Sequence, residues 1–269
     1  MRILITGAGG FLGQALYKGL KDKYDVTPVT RRDFDLSNSI ETRIYMRDRY
    51  FDLVLHTAVS GGNRLEVDSS RDMDVNLTMY YNLVENKLSY SKLISFGSGA
   101  ELYMTNSPYG FSKQVIAKSI EGMDNFYNIR LFNVFDETEM DTRFIKSCIQ
   151  RYIDKEDMEI HQHKKMDFFY MQDFIKVVEY YIEHNNLPKT YDCVYEEKKS
   201  LLGIATLINT LSNYKVAISV KSDIGTDYIG EYKPLGLDYV GLEEGIRQVY
   251  NKLKNNKWIK LVYLEAMVL

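Results

Sequence analysis

Tyrosine followed four residues later by lysine puts a phenol and an ammonium on one face of a helix, and the spacing occurs at Tyr17, Tyr109, Tyr195 and Tyr250. A free phenol is a poor base near neutral pH, but a neighbouring ammonium favours the phenolate. Such a pair can move the proton on a carbinol oxygen while a hydride is exchanged at its carbon. With 22 tyrosines in the chain the spacing alone selects none of the four. Only Tyr109 is preceded by a strand-like run and a loop, "ISFGSGAELY", that supplies a further hydroxyl at Ser98. Ligands of open α/β sheets bind at the C-terminal ends of strands, where Ser98 and Tyr109 can converge. The candidate catalytic set is therefore Ser98, Tyr109 and Lys113. Tyr109 is the acid or base, Lys113 favours its phenolate and holds the hydride carrier beside it, and Ser98 positions the substrate oxygen. Ordinary surface side chains are the plain alternative for the isolated set.

A hydride needs a carrier, and the opening "ITGAGGFLGQAL" at residues 5–16 is suited to holding one. Glycines at 7, 10 and 13 lie between an apolar run and a helical stretch. Such a turn aims backbone N–H groups and the positive end of a helix at a diphosphate. Gly7 permits the turn, Gly10 lets backbone approach the phosphates and Gly13 allows close helix packing; Gly7, Gly10, Phe11 and Leu12 are the candidate contacts. The next strand-like run leads into "VTRRDFDLSN". Arg31 and Arg32 stand where a ribose-binding acid would favour NAD, and their guanidinium groups suit a 2′-phosphate instead. NADP is thus favoured, with NAD as the alternative and a solvated charge pair as the plain reading. Asp35 is placed to approach the adenine.

These groups need a scaffold. Short apolar runs at 2–6, 26–29, 53–56, 92–96 and 128–131 alternate with helical stretches at 10–20, 39–48, 73–87 and 108–120. That pattern predicts β-α-β units and a doubly wound parallel sheet of the Rossmann type. Beyond about residue 135 the pattern loosens, with helices expected at 143–153, 173–184, 204–213 and 241–253. The expected organisation is a dinucleotide-binding core at 1–135, to which 160–195 partly returns, and a smaller α/β substrate lobe at 136–269. The apolar end "NNKWIKLVYLEAMVL" either packs back or meets another chain.

A net charge of −3 gives no long-range attraction to nucleic acid or to an anionic membrane. No apolar run reaches the roughly 18 residues of a membrane helix, so a cytoplasmic protein with a small-molecule partner is expected. The two cysteines, Cys148 and Cys193, lack metal-ligand spacing and read as buried thiols. His161 and His163 have no accompanying carboxylate pattern, and no metal is expected.

Taken together, "TGAGGFLG", "LHTAV" at 55–59, "DVNL" at 74–77, Ser98 with "YGFSK", "RLFNVF" at 130–135 and "DFFYMQD" at 167–173 resemble the extended short-chain dehydrogenase/reductases, a superfamily of nucleotide-sugar epimerases, dehydratases and reductases. The resemblance implies bound NAD(P) and a nucleotide-activated sugar. By that resemblance Ala58 lies along the cofactor, Asn76 braces the sheet, and Asn133 contacts the sugar nucleotide. A homodimer through the helices at 73–87 and 108–120 is implied too, with "MYYNLV" from Met79 as its apolar surface or as internal core.

Departures from the family pattern narrow the reaction. Dehydratases place an acidic pair directly after the catalytic hydroxyl, whereas Gly99 and Ala100 follow Ser98 and Glu101 comes one place late. The cysteine and histidine of the GDP-fucose synthases are replaced by Ala100 and Arg143. An arginine common before "DF" is Met166, and the glycine usual after "NVF" is Asp136. Lys164, Lys165 or Arg143 could supply the cation a diphosphate needs, with Arg143 the first choice. The expectation is an NADPH-dependent reductase of a nucleotide-linked 4-keto-6-deoxy sugar, of the kind that makes polysaccharide precursors. An NAD-dependent epimerase acting through a transient ketone is the alternative, and a non-catalytic NADP-binding sensor is an alternative of another class.

Overall fold

The computed structural model describes residues 1–63 and 66–266. Of the apolar stretch at 255–269, α9 carries the chain to Ala266 and 267–269 lie outside the described residues. The elements run β1 (Arg2–Thr6), α1 (Phe11–Leu20), β2 (Asp25–Val29), α2 (Ser39–Arg47), β3 (Phe51–His56), α3 (Ser70–Glu85), β4 (Tyr90–Ser98), α4 (Ala100–Tyr103), α5 (Pro108–Glu121) and β5 (Phe126–Leu131). They continue as β6 (Val134–Phe135), α6 (Phe144–Ile153), β7 (Met158–Ile160), β8 (Phe169–Tyr170), α7 (Met171–Glu183), β9 (Thr190–Cys193), α8 (Leu201–Ile208), β10 (Ile218–Val220) and α9 (Leu242–Ala266).

The chain divides into two compact units, one of residues 1–131 with 175–193 and one of 132–174 with 194–269, the division falling within α7. In the first unit six strands form one sheet in the order β2-β1-β3-β4-β5-β9, parallel at every pairing. This is the doubly wound arrangement expected from the alternation of apolar runs and helices. β1, β3 and β4 are buried almost end to end, as strands covered on both faces by helices must be. β2 carries Pro28 and is only partly buried, which fits an edge strand, where a missing N–H costs nothing to the ladder. The direction of winding reverses between β1 and β3, so the crevice for a ligand opens beyond the C-terminal ends of these two strands.

The segment that returns to this unit is 175–193; residues 158–160 and 169–170 form short strands of the second unit. Lys92 fastens the return. Its buried ammonium donates to the carbonyls of Tyr181, Ile182 and His184 at 3.0, 3.4 and 2.9 Å, capping the C-terminal end of α7 where a cation is favoured. In the expected dimer surface "MYYNLV", Met79, Tyr80 and Leu83 belong to the core between α3 and the sheet, and Tyr81 is exposed.

The second unit gathers α6, α8 and α9 with the strand pairs β7-β10 and β6-β8 around an aromatic and aliphatic core that includes Phe135, Tyr152, Phe168 and Tyr170. α8 starts three residues before the expected Ile204, because the Ser200 hydroxyl accepts from the Gly203 N–H at 3.1 Å and caps it. Both cysteines are buried. Among the described residues no helix is long and apolar enough to cross a membrane.

Candidate active site

The glycine-rich turn between β1 and α1 has two kinds of glycine. Gly7 has φ +68°, and a Cβ there would lie 2.6 Å from the backbone of Ala58; at Gly13 it would lie 2.6 Å from the Gly7 carbonyl oxygen. Internal packing alone requires these two. Gly10 is different: it is exposed, and a Cβ would meet nothing closer than 3.4 Å. Gly10 caps α1 with no side-chain hydrogen bond, so the first-turn N–H groups are left to an incoming acceptor. A cavity of about 340 Å³ opens here, lined among others by Gly7, Gly10, Arg31, Asp35 and Ala58. Arg31 is exposed and has no hydrogen bond or ion pair among the described residues. Arg32, Phe11 and Leu12 do not line this cavity.

The carboxylates after β2 are committed elsewhere. Asp33 accepts from the N–H and hydroxyl of Thr30 at 2.7 and 3.0 Å, and these bonds hold its carboxyl below the ordinary range. Asp35 accepts from the N–H and hydroxyl of Ser37 at 2.9 and 2.7 Å. The residues present fit a dinucleotide, with glycine-turn N–H groups for its diphosphate and an exposed guanidinium beside its ribose.

Ser98 ends β4 and Tyr109 begins α5. The helix start is set by Ser107, whose hydroxyl accepts from the Gly110 N–H at 3.0 Å, and by Pro108 at the first position. The Ser98 hydroxyl accepts from the Ala100 N–H at 3.1 Å, and its own hydrogen has no acceptor among the described residues. Lys113 lies one turn beyond Tyr109, its ammonium 5.8 Å from the centre of the phenol ring, and donates to the Phe96 carbonyl at 2.8 Å. Burial pushes Lys113 down to about 8, with the Glu101 carboxylate acting against the fall.

Behind Lys113, His56 is fully buried, shares a 2.9 Å hydrogen bond with Thr6 and is held down to about 3 by burial and by Lys113, so the imidazole is neutral. Gly62 (φ +72°) lies against the phenol: a Cβ there would be 2.8 Å from the Tyr109 ring. Asn76 fixes this loop. It accepts from the Ser60 N–H at 2.8 Å and donates to the Ser60 carbonyl and to Ser112 at 2.9 and 3.3 Å. Asn76 thus braces the loop after β3 against α5 rather than the sheet, because the amide has a hydrogen-bonding partner on each side.

The other tyrosine-lysine pairs have different surroundings. Tyr195 donates to Asp173 at 2.6 Å, Tyr250 is in the core of the second unit, and Tyr17 is on the exposed face of α1.

In the second unit Asn133 is buried and donates to the Asp167 carbonyl at 2.9 Å. Met166 is buried in the core, and Asp136 closes a turn by accepting from the N–H and hydroxyl of Thr138. Arg143 caps α6, half-buried, with its Nε 4.0 Å from the carboxylate of Glu139. Glu139 was not singled out in the sequence. It is 5% exposed, one of its oxygens has no hydrogen-bond partner, and burial pushes it up to about 8.

A model of the NAD dependent epimerase/dehydratase family matches residues 3–193. The GDP-L-colitose synthase of Yersinia pseudotuberculosis is 23% identical, over 88% of this chain and 87% of that protein. Among solved structures, a UDP-glucose 4-epimerase from Thermotoga maritima aligns with TM-score 0.80 and 18% identity over 95% of this chain and 99% of that one. A GDP-mannoheptose C4 reductase from Campylobacter jejuni with NADP bound aligns with TM-score 0.76 and 16% identity over 94% and 98%. At these identities the two structures speak for the fold.

Proposed function

Since the chain belongs to the NAD-dependent epimerase/dehydratase family, we propose that it is an NADPH-dependent reductase of a nucleotide-linked 4-keto-6-deoxy sugar. The observation that carries the choice of cofactor is Arg31, an exposed guanidinium in the lining of the cavity beyond β2 with no hydrogen bond among the described residues, beside carboxylates already held by Thr30 and Ser37. The colitose synthase and the heptose C4 reductase, by their names, handle GDP-linked sugars, which supports a nucleotide sugar as substrate class.

When bound, NADPH supplies the hydride. The protein's task is the proton: the Tyr109 phenol donates to the carbonyl oxygen as the ketone becomes an alcohol. The Lys113 ammonium lowers the cost of the resulting phenolate, and the free hydrogen of Ser98 is available to the same oxygen. In the glycine turn, Gly7 and Gly10 with the first-turn N–H groups of Phe11 and Leu12 take the diphosphate, Arg31 rather than Arg32 takes the 2′-phosphate, and Asp35 and Ala58 lie on the adenosine side. Arg143 is the proposed cation for the sugar nucleotide's diphosphate, and Asn133 steadies the segment it belongs to.

The test is NADPH absorbance while the purified protein is offered nucleotide-linked 4-keto-6-deoxy sugars, with NADH and Tyr109→Phe as controls. Net consumption that falls on the order of a thousandfold in Tyr109→Phe is the expected result. Sugar isomerisation without net consumption would transfer the assignment to an epimerase, and a Tyr109→Phe protein that binds cofactor and keeps its biological activity would make it a sensor.

A further inference from the structure

Glu101 lies in the first turn of α4, three residues after Ser98, and its side chain is 2% exposed. Its Oε1 accepts from the Ser98 N–H at 2.9 Å and its Oε2 from Arg130 Nε at 2.9 Å. The Asn128 amide donates to both oxygens at 3.3 and 3.1 Å. Arg130 continues to Asp192, its NH1 donating at 2.7 Å. One chain of charge-assisted bonds therefore crosses α4, β5 and β9. β4 makes room for it: a Cβ at Gly97 would stand 2.1 Å from Glu101 Oε1 and 2.4 Å from Asn128 Oδ1.

Every bond to Glu101 comes from a donor, the arrangement that holds a carboxylate rather than a carboxylic acid, although burial pushes its carboxyl above the ordinary range. With both oxygens occupied internally, Glu101 is not placed to take a proton from a substrate.

We propose that Glu101 is a positioning residue of the proton-transfer set, holding the Ser98 backbone and serving as the buried anion that keeps Lys113 an ammonium. The groups around Lys113 are the neutral His56 of β3, Tyr109 on its own helix, the Phe96 carbonyl of β4 that its ammonium holds and, bound two residues further along β4 at the Ser98 N–H, the Glu101 carboxylate. Only the last carries a negative charge when Tyr109 is a phenol. Arg130 and Asp192 stand behind Glu101 and fix where that charge sits. This inference rests on the reading of Lys113 as partner of Tyr109, and its test observes Lys113 without substrate.

The full-length protein is labelled with ¹³Cε-lysine, the Lys113 signal is assigned by its loss in Lys113→Met, and its midpoint is followed by pH titration. In Glu101→Gln the midpoint moves to lower pH. In Asp192→Asn, which opens the far end of the ion chain and leaves the Glu101 charge in place, it stays near its original value. A Lys113 midpoint unchanged in Glu101→Gln, or moved equally by Asp192→Asn, would overturn the proposal and reduce the ion chain to a clasp. Should Glu101→Gln not fold, the paired neutralisation Glu101→Gln with Arg130→Gln is titrated instead, with the same downward shift expected. If the reductase assay succeeds, Glu101→Gln also loses about tenfold in kcat on the alkaline side with the KM for NADPH unchanged. If no sugar supports NADPH oxidation, the titration still decides the role of Glu101.

Discussion

The turn after β1 holds its shape by the absence of side chains, and the turn after β4 holds its shape by a buried chain of ions. In the first, Gly7 and Gly13 bring backbone against backbone, and no titratable group takes part. In the second, Glu101 reaches back to the Ser98 N–H and is tied through Arg130 to Asp192. Steric turns are insensitive to pH and salt. Ionic ones couple the geometry of a site to its protonation, which suits a turn proposed to serve proton transfer. The lesson is that one sheet can carry a sterically fixed turn at the proposed phosphate cradle and, two strands away, an electrostatically fixed one at the proposed reaction centre.

Substitutions can break this contrast. Gly7→Ala combines a left-handed backbone with a clash against Ala58 and should cost about 4 kcal/mol of stability, with the loss nearly constant from pH 6 to 8 in denaturant melts. Arg130→Met leaves Glu101 and Asp192 buried without their cation and should cost about 3 kcal/mol near neutral pH. Here the difference from the parent shrinks as pH falls, because protonation removes the uncompensated buried charge. A pH-independent loss in Arg130→Met would erase the distinction between the turns.

A third measurement sharpens the reaction side. Burial lowers Lys113 to about 8, so its ammonium is present below that pH and lost as pH rises through it. The kcat/KM of the NADPH reaction should accordingly fall on the alkaline side near pH 8, a limb absent from Lys113→Met. The smallest effect belongs to the cradle. Arg31→Ala should weaken NADPH binding about tenfold and leave NADH binding unchanged, readable by fluorescence titration of the bound dinucleotide.

The cradle was legible in the sequence because a backbone constraint leaves a visible mark: only glycine meets φ +68° at Gly7 and the close approach at Gly13. The sheet was legible for a similar reason, since β1, β3 and β4 each carry a short apolar run, at 3–5, 53–55 and 93–94. The ion chain was not. Glu101, Arg130 and Asp192 are far apart in sequence, and each alone resembles a solvated charge; only the sheet order β4-β5-β9 unites them. Gly97 was the available signal, a glycine within an apolar strand. Glu139 escaped for the same reason, its burial being set by the packing of its unit and not by its neighbours in sequence. Tyr109 was chosen over three identical spacings by its context; Tyr195 donates to Asp173 and Tyr250 packs in the core of its unit.

The sheet's last strand is also the last to be made. Arg130 leaves the ribosome 62 residues ahead of Asp192, a delay of roughly 3 to 12 s at ordinary rates of synthesis. Throughout that interval β5 is an open strand edge and the guanidinium lacks one of its two carboxylates, a state in which edges recruit foreign strands. The nascent chain therefore passes through a vulnerable window set by its order of translation, and it closes only when β9 arrives.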